Sequence, residues 1–290
     1  MASKSSYLEL TKPRITMFIL MSTAIGFLCA ATPQYAGAWT WWTLIHTLAG
    51  TALLASGTAA LNQWYERDAD ARMVRTAKRP IPSGRIAPGD ALEFGVMLSI
   101  VGFLELWCGA NLLTALLGLF TEASYLLVYT PMKQKSQHST TIGAIPGAMP
   151  PLIGYAAVSG TLTWDAWILY AILFLWQFPH FYAIAWMYRD DYARAGIRML
   201  PVVEPSCEST ARQMFGFSVL LVPITLLPNY MGMAGNLYLA GALALGLYFV
   251  YASLRVVNER TVVRARRVLL ASVVYLPLLY GLLVLDGTRT

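Results

Sequence analysis

Asn62, Glu66 and Asp70 are spaced i, i+4, i+8 within ALNQWYERDADARMVRTAKRP (60–80). On a helix the three side chains form one stripe. Such a line of oxygen donors suits a hard cation such as Mg2+, which takes one or two carboxylates and completes its shell with water and phosphate oxygens. Asp68 points off the stripe on a regular helix and joins it only if the helix loosens. Arg75, Lys78 and Arg79 follow at once, and their charged heads would hold the outer oxygens of a diphosphate. The plainer reading of the same residues is a helix end at a membrane surface, with snorkelling arginines and paired acids.

A second cluster lies in WQFPHFYAIAWMYRDDYARAGIRMLP (176–201), where Asp190 and Asp191 sit between Arg189 and Arg194. Two acidic segments at one membrane face would grip two sides of a metal–diphosphate cluster; the alternative is a solvated helix terminus. His180, next to Pro179, lies inside the apolar part of this segment. An intramembrane histidine is a functional candidate: it would ligate a haem iron, orient a porphyrin carboxylate, or hydrogen-bond a carbonyl. In VYTPMKQKSQHSTTIG (128–143), Tyr129, Lys133 and Lys135 stand between two apolar runs. Lysine there meets a diphosphate or anchors a helix among anionic headgroups. Glu105 and Glu122 lie within apolar runs; Glu105 is near a membrane surface, and Glu122, deeper, requires a partner or a proton.

The elements that hold these groups follow from composition. Hydrophobic residues make up 57% of the 290 and charged residues 12%, against about 25% charged in a soluble domain. A soluble globule and a disordered chain are both excluded, which leaves an all-α polytopic membrane protein. A span needs about 20 mostly apolar residues, and nine segments qualify: 15–32, 41–62, 91–109, 111–130, 141–160, 163–187, 213–229, 234–254 and 268–286. The first is expected to be a retained helix rather than a cleaved signal. The fifth contains Pro146, Pro150 and Pro151 and is expected to be broken, which is tolerated only where protein or a cavity satisfies the freed carbonyls. Cys29, Cys108 and Cys207 form no metal-binding motif; Cys29 and Cys108 fall near one predicted membrane face, where they pack or form a disulfide.

Charge sorts cleanly across this topology. Of the 21 basic residues, 20 fall on one side of a nine-helix chain and only Arg289 on the other. The positive-inside rule then puts the N-terminus in the cytoplasm and the C-terminus outside. Both acidic segments share the basic side, so the +6 net charge speaks for membrane orientation rather than nucleic acid. The two long loops, roughly 63–90 and 188–212, follow the second and sixth helices, a hint of a weak internal repeat.

These residues resemble the UbiA superfamily of intramembrane prenyltransferases, and within it the haem-farnesylating branch. The motifs are Asn62-x3-Glu66-x-Asp68-x-Asp70 with Met73-x-Arg75-Thr76-x2-Arg79-Pro80; Pro179-His180-Phe181 with Tyr188-Arg189-x-Asp191-Tyr192 and Met199-Leu200-Pro201; and Tyr129-Thr130 with Lys133. The resemblance runs from Thr11-Lys12-Pro13-Arg14 through Met199-Leu200-Pro201. It implies nine helices around a central cavity in a single domain over 1–290, in a bacterial inner membrane. It implies Mg2+-dependent transfer from farnesyl diphosphate to a vinyl group of haem B, giving haem O. Haem A synthase or a terminal-oxidase assembly are the implied protein partners.

On this resemblance Asn62, Glu66, Asp70 and Asp191 bind the metal, with Asp68 and Asp190 as further candidates. Arg75, Lys78, Arg79, Lys133 and Arg189 hold phosphate oxygens. Trp64, Tyr129 and Tyr182 steady an allylic cation, and His180 contacts the haem. Glu66 stands where the family usually has Asp, and Met187 where quinone-type members carry the first Asp of their second motif. Haem-farnesylating members share that loss. Phe178 replaces a proline common before Pro-His in the branch. Two rival readings stand: a prenyltransferase acting on an aromatic or quinone precursor, and a membrane transporter with intramembrane acids and a broken helix.

Overall fold

The structure is a computed structural model and describes residues 4–32, 37 and 40–287. Among the described residues nine helices are long and apolar enough to cross a membrane, and their order follows the nine segments expected from sequence. A short amphipathic piece, α1 (Lys4–Leu10), precedes the first span, α2 (Pro13–Ala30). The second, α3 (Trp41–Asp70), starts at Thr40, whose hydroxyl accepts the Thr43 N–H at 3.1 Å. It does not end at residue 62. Thirty residues extend about 45 Å at 1.5 Å each, well beyond the roughly 30 Å hydrocarbon core. Its last turns carry Glu66 and Asp70 towards one membrane surface.

The third span is α4 (Pro88–Gly109). Its successor runs over Leu112–Lys135 as α5 (Leu112–Ala123), a π-helical segment (Ser124–Tyr129) and α6 (Thr130–Lys135). The wider register lets the chain pass Pro131, whose ring has no N–H to offer, and π turns of this kind concentrate at functional sites. The fifth span is broken, as its prolines require: α7 (Ser139–Gly147) and α8 (Pro150–Ser159) meet at Ala148-Met149. It is also the most enclosed of the nine. Gln177 Nε2 donates to Ala144 O at 3.2 Å beside the break, supplying a polar partner that lipid cannot.

The chain continues through α9 (Trp164–Met187), two short pieces α10 (Arg189–Arg194) and α11 (Leu200–Val203), then α12 (Glu208–Tyr230), α13 (Asn236–Asn258) and α14 (Val262–Leu285). Packing runs α2–α3–α4–α5 on one side and α9–α12–α13–α14 on the other; α7 and α8 lie between, and α14 also touches α2. The largest buried cluster joins α9, α12, α13 and α14 through Tyr238, Phe249, Tyr275 and Tyr280. Among the glycines, the tightest backbone contacts are between α2 and α8: a Cβ on Gly154 would lie 1.8 Å from Thr23 O, and one on Gly26 would lie 2.0 Å from Pro151 O. Small residues permit such crossings in membranes.

The two intramembrane acids have partners. Glu105 accepts from or shares a proton with His46 Nδ1 at 2.6 Å, and Glu122 Oε1 accepts from Ser99 Oγ at 2.5 Å. Cys29 and Cys108 are both free, so the disulfide alternative falls and packing remains. Arg289, the one basic residue expected on the far side, lies outside the described residues.

Candidate active site

The stripe on α3 is real: Asn62, Glu66 and Asp70 are each less than a tenth exposed. Each meets a cation from a different part of the chain. Lys12 Nζ donates to Asn62 Oδ1 at 3.2 Å, Lys133 Nζ lies 2.8 Å from Glu66 Oε1, and Arg79 Nη1 lies 2.6 Å from Asp70 Oδ2. Asn62 Nδ2 also donates to Thr130 Oγ1 at 3.3 Å, tying the stripe to the start of α6, just after the π segment. That segment sets the rings of Tyr129 and Tyr125 near Lys133, whose Nζ is 4.6 and 5.9 Å from their centroids.

The segment after α3 turns back on itself, with Thr76 Oγ1 donating to Asp70 O at 2.9 Å. The fold there brings in the second acidic motif. Asp191 Oδ1 accepts the Val74 N–H at 3.3 Å and is also bound by Arg194. The Arg75 guanidinium covers the Tyr188 ring at 4.7 Å and reaches Tyr192 Oη at 3.4 Å. Arg198 N donates to Lys133 O at 2.8 Å, so the end of α6 is tied to the segment between α10 and α11. A small apolar cluster of Ala69, Met73, Ala185, Ala195, Ile197 and Met199 underlies the junction.

Other expected residues stand apart. Asp68 and Lys78 are exposed, and the Lys78 carbonyl accepts from Arg85 Nη2 at 2.6 Å. Asp190 points to solvent, 85% exposed, with Arg189 Nε at 3.7 Å. Arg189 itself turns away from the stripe, towards Pro205 O and Cys207 Sγ. Trp64 lies two residues from Asn62, about 200° around the helix, and packs instead beside Leu10, Ile81 and Ile86. Tyr182 is buried with its hydroxyl on Gln213 Oε1 at 2.5 Å. His180 is half-buried on the α14 side; its Nδ1 is 2.8 Å from Ser272 Oγ and its ring stacks on Trp176 at 4.7 Å.

Sequence reasoning quoted Lys12 without assigning it a place here. Its signal is the Lys-Pro pair at a helix start: Lys12 takes φ 48° and ψ 58°, a left-handed turn between α1 and α2, which aims the amine back at α3. Burial, then the neighbouring Arg79, pulls its pKa down to about 7, against Glu66 and Asp70. Tyr125 was the other omission; it precedes Tyr129 and Lys133 at successive four-residue steps.

Among the described residues no three His, Cys, Asp or Glu side chains converge as a metal cage. The donors suit a cation that needs only one or two carboxylates and borrows the rest from phosphate and water. Asp70 Oδ1 is the decisive atom, being buried with no hydrogen-bond partner. A buried, unsatisfied carboxylate oxygen is costly, and a metal ion would satisfy it; the residues present therefore fit Mg2+. Arg75, Arg79, Lys133 and Arg194 stand against Glu66, Asp70 and Asp191, and Lys12, partly charged near neutrality, adds to a surplus of positive charge suited to a polyanion.

Residues 19–276 match the UbiA prenyltransferase family. The chain belongs to that family. It is 62% identical over 289 residues to the protoheme IX farnesyltransferase of Solibacter usitatus, covering 97% of this chain and 98% of the relative. Its fold is similar to that of a digeranylgeranylglyceryl phosphate synthase in membranes, with a TM-score of 0.81 at 17% identity over 99% of both chains. A UbiA homologue from Archaeoglobus fulgidus, bound to GPP and Mg2+, gives a TM-score of 0.68 at 15% identity over 96% of this chain and 99% of that one. The chain is thus an integral membrane enzyme of prenyl transfer.

Proposed function

We propose that the chain transfers a farnesyl group from farnesyl diphosphate to a vinyl group of haem B, with Mg2+, giving haem O and diphosphate, within one domain over residues 1–290. The observation that carries this reading is the buried set of three carboxylates, each paired with a cation from a different part of the chain, with Lys12 on Asn62 beside them. The 62% identity to a protoheme IX farnesyltransferase supports haem as the acceptor.

Glu66 and Asp70, with Asn62 beside them and Asp191 on the facing segment, would hold the metal, which supplies charge neutralisation for the leaving diphosphate. Lys12, Arg75, Arg79 and Lys133 bind the diphosphate oxygens and stabilise the charge gathering there as the allylic C–O bond breaks. The electron pair leaves with the diphosphate. The Tyr125 and Tyr129 rings face the resulting allylic cation. The π electrons of the vinyl group form the new C–C bond, and the cation left beside the porphyrin takes up water and releases a proton. The apolar helices keep other water from quenching the allylic cation first. His180, oriented by Ser272 and Trp176, contacts the haem. Lys78, Arg189, Asp68 and Asp190 serve the rim.

The basic loops lie in the cytoplasm of a bacterial inner membrane, and haem O passes to haem A synthase or a terminal-oxidase assembly. Incubation of the purified protein with haem B, farnesyl diphosphate and Mg2+, followed by pigment extraction and mass spectrometry, tests the assignment. Haem heavier by a hydroxyfarnesyl group is the expected product. Prenylated hydroxybenzoate, with haem untouched, would transfer the site to an aromatic acceptor.

A further inference from the structure

The inner ends of α12, α13 and α14 carry a second charged cluster, built from none of the residues of the acidic site. Glu208, in the first turn of α12, is held by two arginines from different elements: Arg212 Nη2 at 2.5 Å and Arg260 Nη1 at 3.1 Å. Glu259 is held by Arg255 and by Arg264 Nη2 at 2.7 Å. Arg266 and Arg267 are exposed and form no ion pair with the other described residues. Six arginines and two glutamates are the only charged residues from 208 to 267, so the cluster is strongly cationic.

Within it opens a pocket of about 220 Å³ lined by Glu208, Ala211, Arg212, Val257 and Arg260. The lining pairs two guanidinium groups with two apolar side chains. A guanidinium has five N–H donors. Engaging Glu208 through one nitrogen each leaves Arg212 and Arg260 with donors for a second acceptor. Phosphate matches that fork geometry bidentately.

We propose that this pocket binds a phosphate-bearing anion, supplied as the headgroup of an anionic phospholipid. Two features favour a lipid over a soluble phosphate. The pocket lies between membrane-spanning helices at the basic face of the protein, where arginine-rich recesses meet anionic headgroups. Exposed apolar side chains stand beside it: Leu254, almost one turn from Val257 on α13, and Val262 and Val263 at the start of α14 are 40%, 48% and 63% exposed. Those side chains give an acyl chain a surface to lie on once the phosphate is seated. Glu208 is then the competitor that holds both arginines in its absence.

The test uses the full chain in neutral detergent, titrated with phosphatidylglycerol, with phosphatidylcholine, and with inorganic phosphate. Bound lipid is read by native mass spectrometry and phosphate binding by calorimetry. Phosphatidylglycerol should bind and phosphatidylcholine should not. Arg212→Gln with Arg260→Gln should weaken phosphatidylglycerol about 30-fold, at about 1 kcal/mol per arginine. Glu208→Gln should tighten it, because the competing carboxylate is gone; this opposite sign keeps the test decisive even if the double variant folds poorly. Inorganic phosphate that binds in an arginine-dependent way, with phosphatidylglycerol indifferent to every substitution, would overturn the lipid as the source. Phosphatidylglycerol and phosphate both indifferent to all three substitutions would overturn the site.

Discussion

Lys133 Nζ lies 2.8 Å from Glu66 Oε1, with the two side chains only 12% and 9% exposed. The pair joins the end of α3 to α6. Removing one partner of such a buried pair leaves an uncompensated charge and costs about 3–5 kcal/mol. Glu66→Gln and Lys133→Met should each lower the thermal midpoint, and the double variant should recover much of the loss. Activity should not follow stability. Prenyl transfer should fall at least about 100-fold in Glu66→Gln and stay down in the double variant, because a carboxylate that would hold the metal beside the leaving diphosphate is missing. Recovery of turnover alongside the melting point would reduce Glu66 to a structural role.

Metal removal separates the reaction from the fold. No cage of three acidic, histidine or cysteine side chains forms among the described residues, so the cation is expected to bind with the diphosphate rather than hold the helices together. Excess EDTA should abolish prenyl transfer, and added Mg2+ should restore it. The melting midpoint without diphosphate should barely move. A large drop in midpoint on chelation would point instead to a structural ion.

Asp191 has two tasks that one substitution can divide. Its Oδ1 accepts the Val74 N–H at 3.3 Å, which fastens the segment after α3 to α10. Asp191→Asn keeps an oxygen for that bond but removes the charge; Asp191→Ala removes both. If the carboxylate serves the metal, both variants lose turnover, and only the alanine variant also loosens the segment, seen as faster amide exchange over residues 71–80. Full activity in Asp191→Asn would leave the residue a fastener and nothing more.

The spans and the acidic stripe were legible because both rest on periodicity: apolar runs of membrane length, and oxygens at four-residue steps. The broken fifth helix was equally legible from Pro146, Pro150 and Pro151. What escaped was three-dimensional. α3 was expected to stop where its hydropathy fades, near residue 62, yet its helical pairing continues to Asp70. Lys12 and Asn62 are 50 residues apart in sequence, so no local pattern joins them. Arg189 sits beside Asp190 and Asp191 in the chain but reaches towards Cys207, because side chains adjacent in sequence leave a helix about 100° apart. Trp64 was miscast for the same reason.

The glycines of the α2–α8 crossing leave no room for a side chain. A methyl group on Gly154 would meet the Thr23 carbonyl oxygen at 1.8 Å, and backbone cannot swing aside as a side chain does. Overpacking of a core commonly costs about 1–3 kcal/mol, and a backbone clash belongs at or above the top of that range. Gly154→Ala should lower the melting midpoint sharply and broaden the size-exclusion peak. Gly216→Ala, which meets nothing within 4 Å on α12, should do neither. Equal behaviour of the two would mean that α2 and α8 separate easily.

Cys207 provides a pH-dependent probe of the turn that Arg189 engages. Burial pushes its thiol above the ordinary value of 9.0, while the hydrogen bond from Arg189 pulls the other way. The reactive species is the thiolate, so alkylation at pH 8 is slow, rises as pH climbs towards the raised pKa, and levels off above it. In a Cys29→Ala, Cys108→Ala background the labelling rate should therefore climb steeply through the alkaline range. Arg189→Gln removes the group that favours the thiolate, and the rate curve should move to still higher pH. A shift to lower pH would show that losing Arg189 opens the turn to solvent, since hydration lowers a buried thiol's pKa. In that case the guanidinium acts as the lid of the turn, and the contact to Cys207 Sγ is incidental to it.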